Sequence, residues 1–217
     1  MISEADGLLR AEGRYAVGRG RVPVLHLALL LGVCGFIYGV GMGYFGSRPK
    51  QAVYSGVKVP ILLSLGTAFC LPSFFVLNTL LGLRDDFSAA MRAVLAAQAT
   101  VAVALFSLLP VILFVYFSNC NYEQAVFFNG LFFALATLAG QRTLSRHYAP
   151  LIEADPRHNI GRWAWILLYV FVVIQLAWVL RPFVGWSGMN VSFFREEAWS
   201  NAYVVLMRDV IKGALGL

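Results

Sequence analysis

Five long apolar segments constrain this 217-residue chain more than any other feature of its sequence. A helix rises about 1.5 Å per residue, so ~20 apolar residues cross the hydrocarbon core of a bilayer. The sequence therefore predicts an all-α, polytopic membrane bundle with five transmembrane helices. The segments contain no Asp, Glu, Lys or Arg and lie at Pro23–Tyr44, Val59–Gly82, Ala93–Phe117, Gln124–Gly140 and Trp163–Leu180.

The distribution of charge narrows the classes of function. Only 13% of the residues are charged, whereas about a quarter are charged in soluble domains. Ionisable residues buried in the membrane usually mark pumps, proton relays and ion-coupled transporters. Their absence from the five segments argues against ion-coupled transport, but it is compatible with uncoupled passage of a neutral solute.

The chain divides into three regions. Residues 1–22 are polar and are predicted to form a cytoplasmic lead, since they are too polar for a cleaved signal peptide. Residues 23–182 form the predicted transmembrane domain. Residues 183–217 are predicted to form an aromatic loop and an interfacial amphipathic helix at Glu196–Leu215, because the charges of Arg208 and Lys212 disfavour a sixth span.

Prolines and polar runs set the predicted helix boundaries. Residues 47–55, around Pro49, have the composition of a loop, so the second helix is expected to begin near Pro60 and to bend at Pro72. Residues 141–162 are predicted to form the most polar internal loop, and the fourth helix before it is expected to be the shortest.

The distribution of basic residues predicts an orientation. With the N-terminus inside, the segments on the inner side carry ten Lys and Arg residues and those on the outer side carry seven. Basic residues are enriched in cytoplasmic loops. We therefore expect an integral protein of a bacterial plasma membrane, with a cytoplasmic N-terminus and an external C-terminus.

A glycine stripe runs along the first helix. Gly35, Gly39 and Gly43 repeat every four residues and so share one helix face. Small residues at this spacing allow another helix backbone to approach closely. The stripe predicts a helix-packing face, and we expect it to contact another helix of the chain, a second copy or a partner protein.

Three amides in the spans are the first candidates for a polar pathway. Asn78, Asn129 and Gln175 must each find a polar partner away from lipid. Hydrogen bonding between helices explains them equally simply, at about 0.6–2 kcal/mol per contact. We favour hydrogen bonding over the pathway.

The segment after the fifth span combines aromatic rings with arginine. Such a mixture is typical of the anchors of protein interfaces, but it is also typical of anchoring at the lipid headgroups. Both interpretations remain open. The candidate partner interface consists of Trp178, Arg181, Phe193, Phe194, Arg195 and Trp199.

No pattern indicates catalysis, a cofactor or a metal. Gly41–Gly46 matches GxGxxG, but a dinucleotide site needs that motif between a strand and a helix, and here it ends a membrane helix. The histidines and carboxylates of residues 147–158 are expected to belong to a solvated loop. We predict a non-enzymatic protein with no cofactor, no metal and no nucleic-acid partner.

The chain resembles Yip-domain membrane proteins and their bacterial relatives over about residues 50–180. The likeness rests on Pro60 and Pro72 in the second span, on Gly82-Leu83 followed by Asp86-Phe87-Ser88-Ala89-Ala90-Met91-Arg92, and on the late Pro110 of the third span. The resemblance implies a five-span helical fold. It implies no catalytic residues.

Three functions follow from these observations. We favour a non-enzymatic subunit or scaffold of a larger membrane assembly, which contacts membrane lipids and meets protein partners or a second copy through the glycine face and the C-terminal tail. The alternative is a channel or transporter for a small neutral solute or a lipid. A membrane enzyme that uses residues 141–162 is the third hypothesis.

Overall fold

The computed structural model describes Leu8, residues 24–185, residue 188, residues 191–194 and residues 203–204. The described residues form five long helices and no strand. The helices are α1 (Val24–Gly43), α2 (Pro49–Leu80), α3 (Phe87–Phe117), α4 (Tyr122–Ala154) and α5 (His158–Leu180).

All five helices are long and apolar enough to cross a membrane. Large apolar side chains are exposed on each of them, for example Leu25, Phe69, Phe114, Phe127 and Leu167. Exposed apolar surface of this extent is expected where the solvent is lipid. The predicted all-α fold is thus confirmed, with five helices that are long and apolar enough to span a membrane. The predicted C-terminal amphipathic helix lies outside the described residues, apart from 203–204.

Two predicted loops are wrong, because they are helical. α2 begins at Pro49 rather than near Pro60, and it continues through both Pro60 and Pro72. α4 was expected to be the shortest helix but is the longest, since it continues to Ala154 through Pro150. Leu144 and Tyr148 are buried one turn apart in this extension, so packing against the bundle holds polar residues 141–154 in a helix.

The helices run up and down, with α1 between α2 and α3. α4 packs mainly on α3 and α5 packs on α2, whereas α4 and α5 share few contacts. We call the two ends of the bundle the Arg181 end and the His158 end. The Arg181 end holds the α1–α2 and α3–α4 turns and the exit from α5, and the His158 end holds the α2–α3 and α4–α5 turns.

The glycine stripe of α1 packs against α2. A Cβ atom added to Gly39 would lie 2.8 Å from the Cα atom of Gly56, and one added to Gly43 would lie 2.7 Å from the carbonyl oxygen of Gln51. Gly35 faces Pro60 at an ordinary contact distance of 3.6 Å. The stripe is therefore a helix-packing face within the chain, and another protein could reach it only by displacing α2.

Candidate functional site

A cleft of about 570 Å³ lies between α4 and α5. It begins at the Arg181 end, where the segment after α5 forms one wall, and it follows α4 from Tyr122 to Thr137. Fifteen helical residues correspond to about 22 Å, which is about half of the 40–45 Å thickness of a bilayer with its headgroup regions. Its lining is Met42, Leu62, Tyr122, Val126, Asn129, Gly130, Phe133, Ala134, Thr137, Val173, Ile174, Ala177, Arg181, Pro182, Phe183 and Val184.

The cleft opens sideways, toward the outside of the bundle. Val126 on α4 and Ile174 on α5 line it and are 45% and 42% exposed. Gly130, Ala134 and Ala177 are small, so neither wall fills the space. A lateral opening between two membrane-spanning helices faces lipid chains rather than water.

The polar atoms of the cleft are few and are unevenly placed. Arg181 is the one charged residue among the described residues of its lining. The guanidinium carbon of Arg181 lies 3.5 Å from the centre of the Trp178 ring, in a cation–π contact. A cation therefore marks the end of the cleft, and the rest of the wall is mainly apolar.

Asn129 forms the polar part of the inner wall and joins three helices. Its side-chain oxygen accepts a 3.0 Å hydrogen bond from the Tyr38 hydroxyl of α1. Its amide nitrogen donates to the Tyr116 hydroxyl of α3 at 2.7 Å, and that hydroxyl donates to the Met42 carbonyl oxygen at 3.1 Å. These bonds satisfy the amide inside the bundle, as expected for hydrogen bonding between helices.

The segment after α5 is held against α2 by buried polar side chains. Lys58 donates a 2.7 Å hydrogen bond to the Pro182 carbonyl oxygen, and Gln51 donates to the same oxygen at 2.9 Å. The hydroxyl of Ser55 donates to the Phe183 carbonyl oxygen. These three residues turn the carbonyl groups of the segment toward α2.

The other two candidate amides do not reach the cleft. Asn78 is buried near the His158 end and donates to the Phe74 carbonyl oxygen of its own helix at 2.8 Å. Gln175 is half-buried on α5 and is not part of the cleft lining. Asn78 and Asn129 therefore lie at opposite ends of the bundle, and the three amides form no common path among the described residues.

The candidate partner interface is described in part. Trp178 and Arg181 stack on each other beside the cleft. Phe193 packs edge-on against Tyr54 at a ring distance of 5.5 Å, and Phe194 next to it is 52% exposed. Arg195 and Trp199 lie outside the described residues.

The His158 end carries the histidines and carboxylates considered for metal binding. Among the described residues, no three His, Cys, Asp or Glu side chains come close enough to hold a metal ion. His158 is buried and pairs with Asp86 at 3.2 Å, which joins the α4–α5 turn to the start of α3. Arg157 donates to Asp155 and to the Leu81 carbonyl oxygen, and its hydrogen bonds hold the pKa of Asp155 at about 2.

A second groove, of about 640 Å³, lies between α1 and α2. It passes Gly32, where an added Cβ atom would have no neighbour within 4 Å. No charged side chain is found in the described lining of this groove, which differs in that respect from the cleft. The groove therefore offers a natural control site for experiments on the cleft.

The cleft was not predicted from the sequence, although two local signals accompany it. Gly130 and Ala134 place small residues one turn apart on α4, and Arg181 follows directly after the last apolar residue of α5. Neither signal tells which helix lies opposite α4.

Comparisons with family models, with curated proteins and with solved structures found no match to this chain. The resemblance to Yip-domain proteins stays a prediction.

Proposed function

We propose that this protein is a non-enzymatic integral membrane protein that binds a membrane lipid, with an acyl chain of the lipid held in the cleft between α4 and α5. The observation that carries the proposal is the lateral opening of an apolar cleft of about 570 Å³ between two membrane-spanning helices. Binding sites for small molecules have volumes of about 300–1,000 Å³, mainly apolar walls and a few polar groups.

The position of the cleft supports a lipid over a water-soluble ligand. A water-soluble molecule would need a polar route from one end of the bundle, whereas an acyl chain enters through the opening beside Val126 and Ile174. The polar groups lie where a lipid headgroup would be, since Tyr122 starts α4 and Arg181 follows α5 at the same end.

The proposal includes an orientation. The described part of the His158 end carries Arg84, Arg92, Arg142, Arg146, Arg157 and Arg162, and α1 begins at that end. Basic residues favour the cytoplasmic side. We therefore place the His158 end in the cytoplasm of a bacterial cell, so that the cleft opens to the outer leaflet of the plasma membrane.

Photo-crosslinking in vesicles tests the proposal. The probe is phosphatidylcholine with a diazirine near the end of one acyl chain, and mass spectrometry of peptides locates the crosslinks. We expect crosslinks on Phe133 and Val173, inside the cleft, in excess of those on Phe36, which is 41% exposed near the middle of α1. A lipid that only surrounds the protein would label Phe36 at least as strongly, and that result would contradict the proposal.

A pair of glycine variants sharpens the test. Gly130→Leu places a side chain in the cleft, where an added Cβ atom meets nothing within 4 Å. Gly32→Leu is the matched control, because Gly32 has the same free space but lies in the groove between α1 and α2. The proposal requires that Gly130→Leu lower the crosslinks in the cleft several-fold and that Gly32→Leu leave them unchanged.

A polar channel receives less support. Asn78 and Asn129 lie at opposite ends and are hydrogen-bonded within the protein. The internal cavity beside Gln98 and Tyr169 measures only about 50 Å³, and the Tyr169 hydroxyl donates to Gln98 there at 2.8 Å. A solute pathway through the described part of the bundle would require several of these hydrogen bonds to break.

Membership of a larger assembly is a second candidate function, favoured by the exposed ring of Phe194. This ring is 52% exposed beside Phe193, which is itself fixed on Tyr54 and above the Lys58 ammonium group. Mass measurement after gentle solubilisation tests this role. A mass of one chain plus detergent, in both the wild type and Phe194→Ser, would exclude it.

A further inference from the structure

We propose that the headgroup of the bound lipid carries a net negative charge and that the Arg181 guanidinium contacts it. This inference rests on the proposed function, because it concerns the polar end of the same cleft. The structure suggests the chemistry of the ligand through three features: the charge of the lining, the support of the arginine and the direction of the neighbouring carbonyl groups.

The charge of the cleft is positive. Among its described lining residues, Arg181 is charged and no residue is acidic. Of the described residues at the Arg181 end, Arg48, Lys50, Lys58 and Arg181 are basic and Glu123 is acidic. An attraction between unlike charges is several-fold stronger near a protein surface than in bulk water. This end therefore favours an anionic headgroup and disfavours the cation of a choline headgroup.

The side chain of Arg181 packs on an aromatic ring. Its guanidinium group is stacked on Trp178 at 3.5 Å, and this contact leaves the edge of the planar group as the direction for hydrogen bonds. An arginine can donate two parallel hydrogen bonds to a phosphate group, which gives geometric selectivity as well as affinity. Lysine in its place would keep the charge but lose this planar fork.

The neighbouring carbonyl groups are engaged elsewhere. Pro182 and Phe183 follow Arg181 and line the cleft. Lys58, Gln51 and Ser55 bind their carbonyl oxygens from α2. These hydrogen bonds pair two partial negative charges of the cleft wall with donors on α2, and they hold the backbone that directly follows Arg181.

Crosslinking with two headgroups tests the inference. Phosphatidylglycerol and phosphatidylcholine with the same diazirine-bearing chain are compared in vesicles of matched composition. We expect the wild type to prefer phosphatidylglycerol in the cleft by about tenfold. Both lipids offer a phosphate group to Arg181, but only phosphatidylcholine also brings a cation, which the positive charge of this end repels. Arg181→Gln should bring the preference close to one, and Arg181→Lys should retain part of it.

Lys50→Gln is the matched control, because it removes one positive charge from an exposed position at the same end. It should retain the preference. If Lys50→Gln and Arg181→Gln lower the preference equally, general surface charge explains it and the inference fails. The thermal midpoint of each variant in detergent establishes that the variant is folded. If Arg181→Gln does not fold, Arg181→Lys replaces it in the comparison, and a preference as high as that of the wild type would then contradict the inference.

Two further outcomes separate this inference from the proposed function. If the wild type crosslinks both lipids equally while Gly130→Leu lowers both, the lipid-binding cleft stands and the anionic headgroup is wrong. If Gly130→Leu lowers neither, the proposed function itself fails. Millimolar inorganic phosphate should not displace the labelled lipid, and displacement would show that the free anion, not a lipid headgroup, is the ligand at Arg181.

Discussion

The ammonium nitrogen of Lys58 lies 2.7 Å from the carbonyl oxygen of Pro182, and the Lys58 side chain is fully buried. Its charge also lies 5.1 Å from the centre of the Phe193 ring and 5.9 Å from that of Phe183. A buried charge is tolerated only where polar partners or aromatic rings replace water. This one residue joins the start of α2 to the segment that forms a wall of the cleft.

Lys58→Met should loosen the wall of the cleft. The substitution removes a hydrogen bond from a charged donor, worth about 1.5 kcal/mol or more, which corresponds to about tenfold more frequent opening of the segment. The measurement is the labelling rate of a cysteine at Val184, a buried position in the wall, in a chain whose three native cysteines are replaced by alanine.

Lys50→Met is the control for this change. Lys50 is exposed on the same helix. Its replacement therefore removes the same charge but breaks no hydrogen bond to the segment after α5. The labelling rate in Lys50→Met should equal that of the parent protein. Equal rates in the Lys58 and Lys50 variants would show that Gln51 and Ser55 hold the segment without Lys58.

Gly39→Ala should destabilise the bundle. The new methyl group would meet the backbone of Ser55 and Gly56, which cannot move aside as a side chain can. Overpacking costs about 1–3 kcal/mol, and the better helix propensity of alanine returns about 1 kcal/mol of that. We expect a net loss of up to about 2 kcal/mol in the free energy of unfolding, measured by denaturant titration in mixed micelles.

The control for this prediction is Gly32→Ala. An added Cβ atom there has no neighbour within 4 Å, so only the helix propensity changes and the stability should stay equal or rise. If Gly39→Ala is as stable as Gly32→Ala, then α1 and α2 are not in backbone contact at this position.

Asn129 and Tyr116 should be energetically coupled. The amide donates to the Tyr116 hydroxyl at 2.7 Å, with Asn129 buried and Tyr116 half-buried. A double-mutant cycle of Asn129→Leu and Tyr116→Phe should give a coupling free energy of about 0.5–2 kcal/mol. The control cycle pairs Tyr116→Phe with Gln98→Leu, whose partner is Tyr169, and should give no coupling. A coupling of zero in the first cycle would refute the hydrogen bond.

The membrane-spanning character of the chain was predictable because it depends on length and apolarity alone. The apolar run of α1 at Pro23–Tyr44 matches the helix Val24–Gly43 within one residue at each end.

The start of α2 could not be predicted from the local sequence, because it depends on tertiary contacts. Gln51, Ser55 and Lys58 have the composition of a loop, but they are buried because carbonyl groups from more than a hundred residues later accept their hydrogen bonds.

Two residues of the candidate site were predictable from the sequence, but the cleft beside them was not. The sequence predicts Trp178 and Arg181 only as members of a candidate partner interface or of a lipid anchor, and their stacking agrees with a spacing of three residues. The cleft beside them depends on how far α4 diverges from α5. Two helices joined by a short turn usually pack along their length, so the sequence favours contact where the structure has a space.

Replacing Arg157 should raise the pKa of Asp155. The side-chain and backbone hydrogen bonds from Arg157 stabilise the ionised carboxylate and hold its pKa at about 2, below the value of about 3.9 in an unfolded chain. A lowered pKa stabilises the folded state above pH ~4, and this contribution is lost as the pH falls through about 2. Arg157 also donates to the Leu81 carbonyl oxygen through a different nitrogen, and arginine stays charged throughout this pH range, so that bond should persist.

The measurement is the carboxyl-carbon chemical shift of Asp155 in labelled protein in micelles, followed from pH 6 to pH 1.5, a range that extends about two units above the unfolded-state pKa. In Arg157→Gln the midpoint should move upward, toward the unfolded value. Arg162→Gln is the matched control, because Arg162 binds Ser145 and Asn159 rather than Asp155. A midpoint that stays at about 2 in Arg157→Gln would show that the turn itself, and not the guanidinium group, lowers the pKa of this carboxyl.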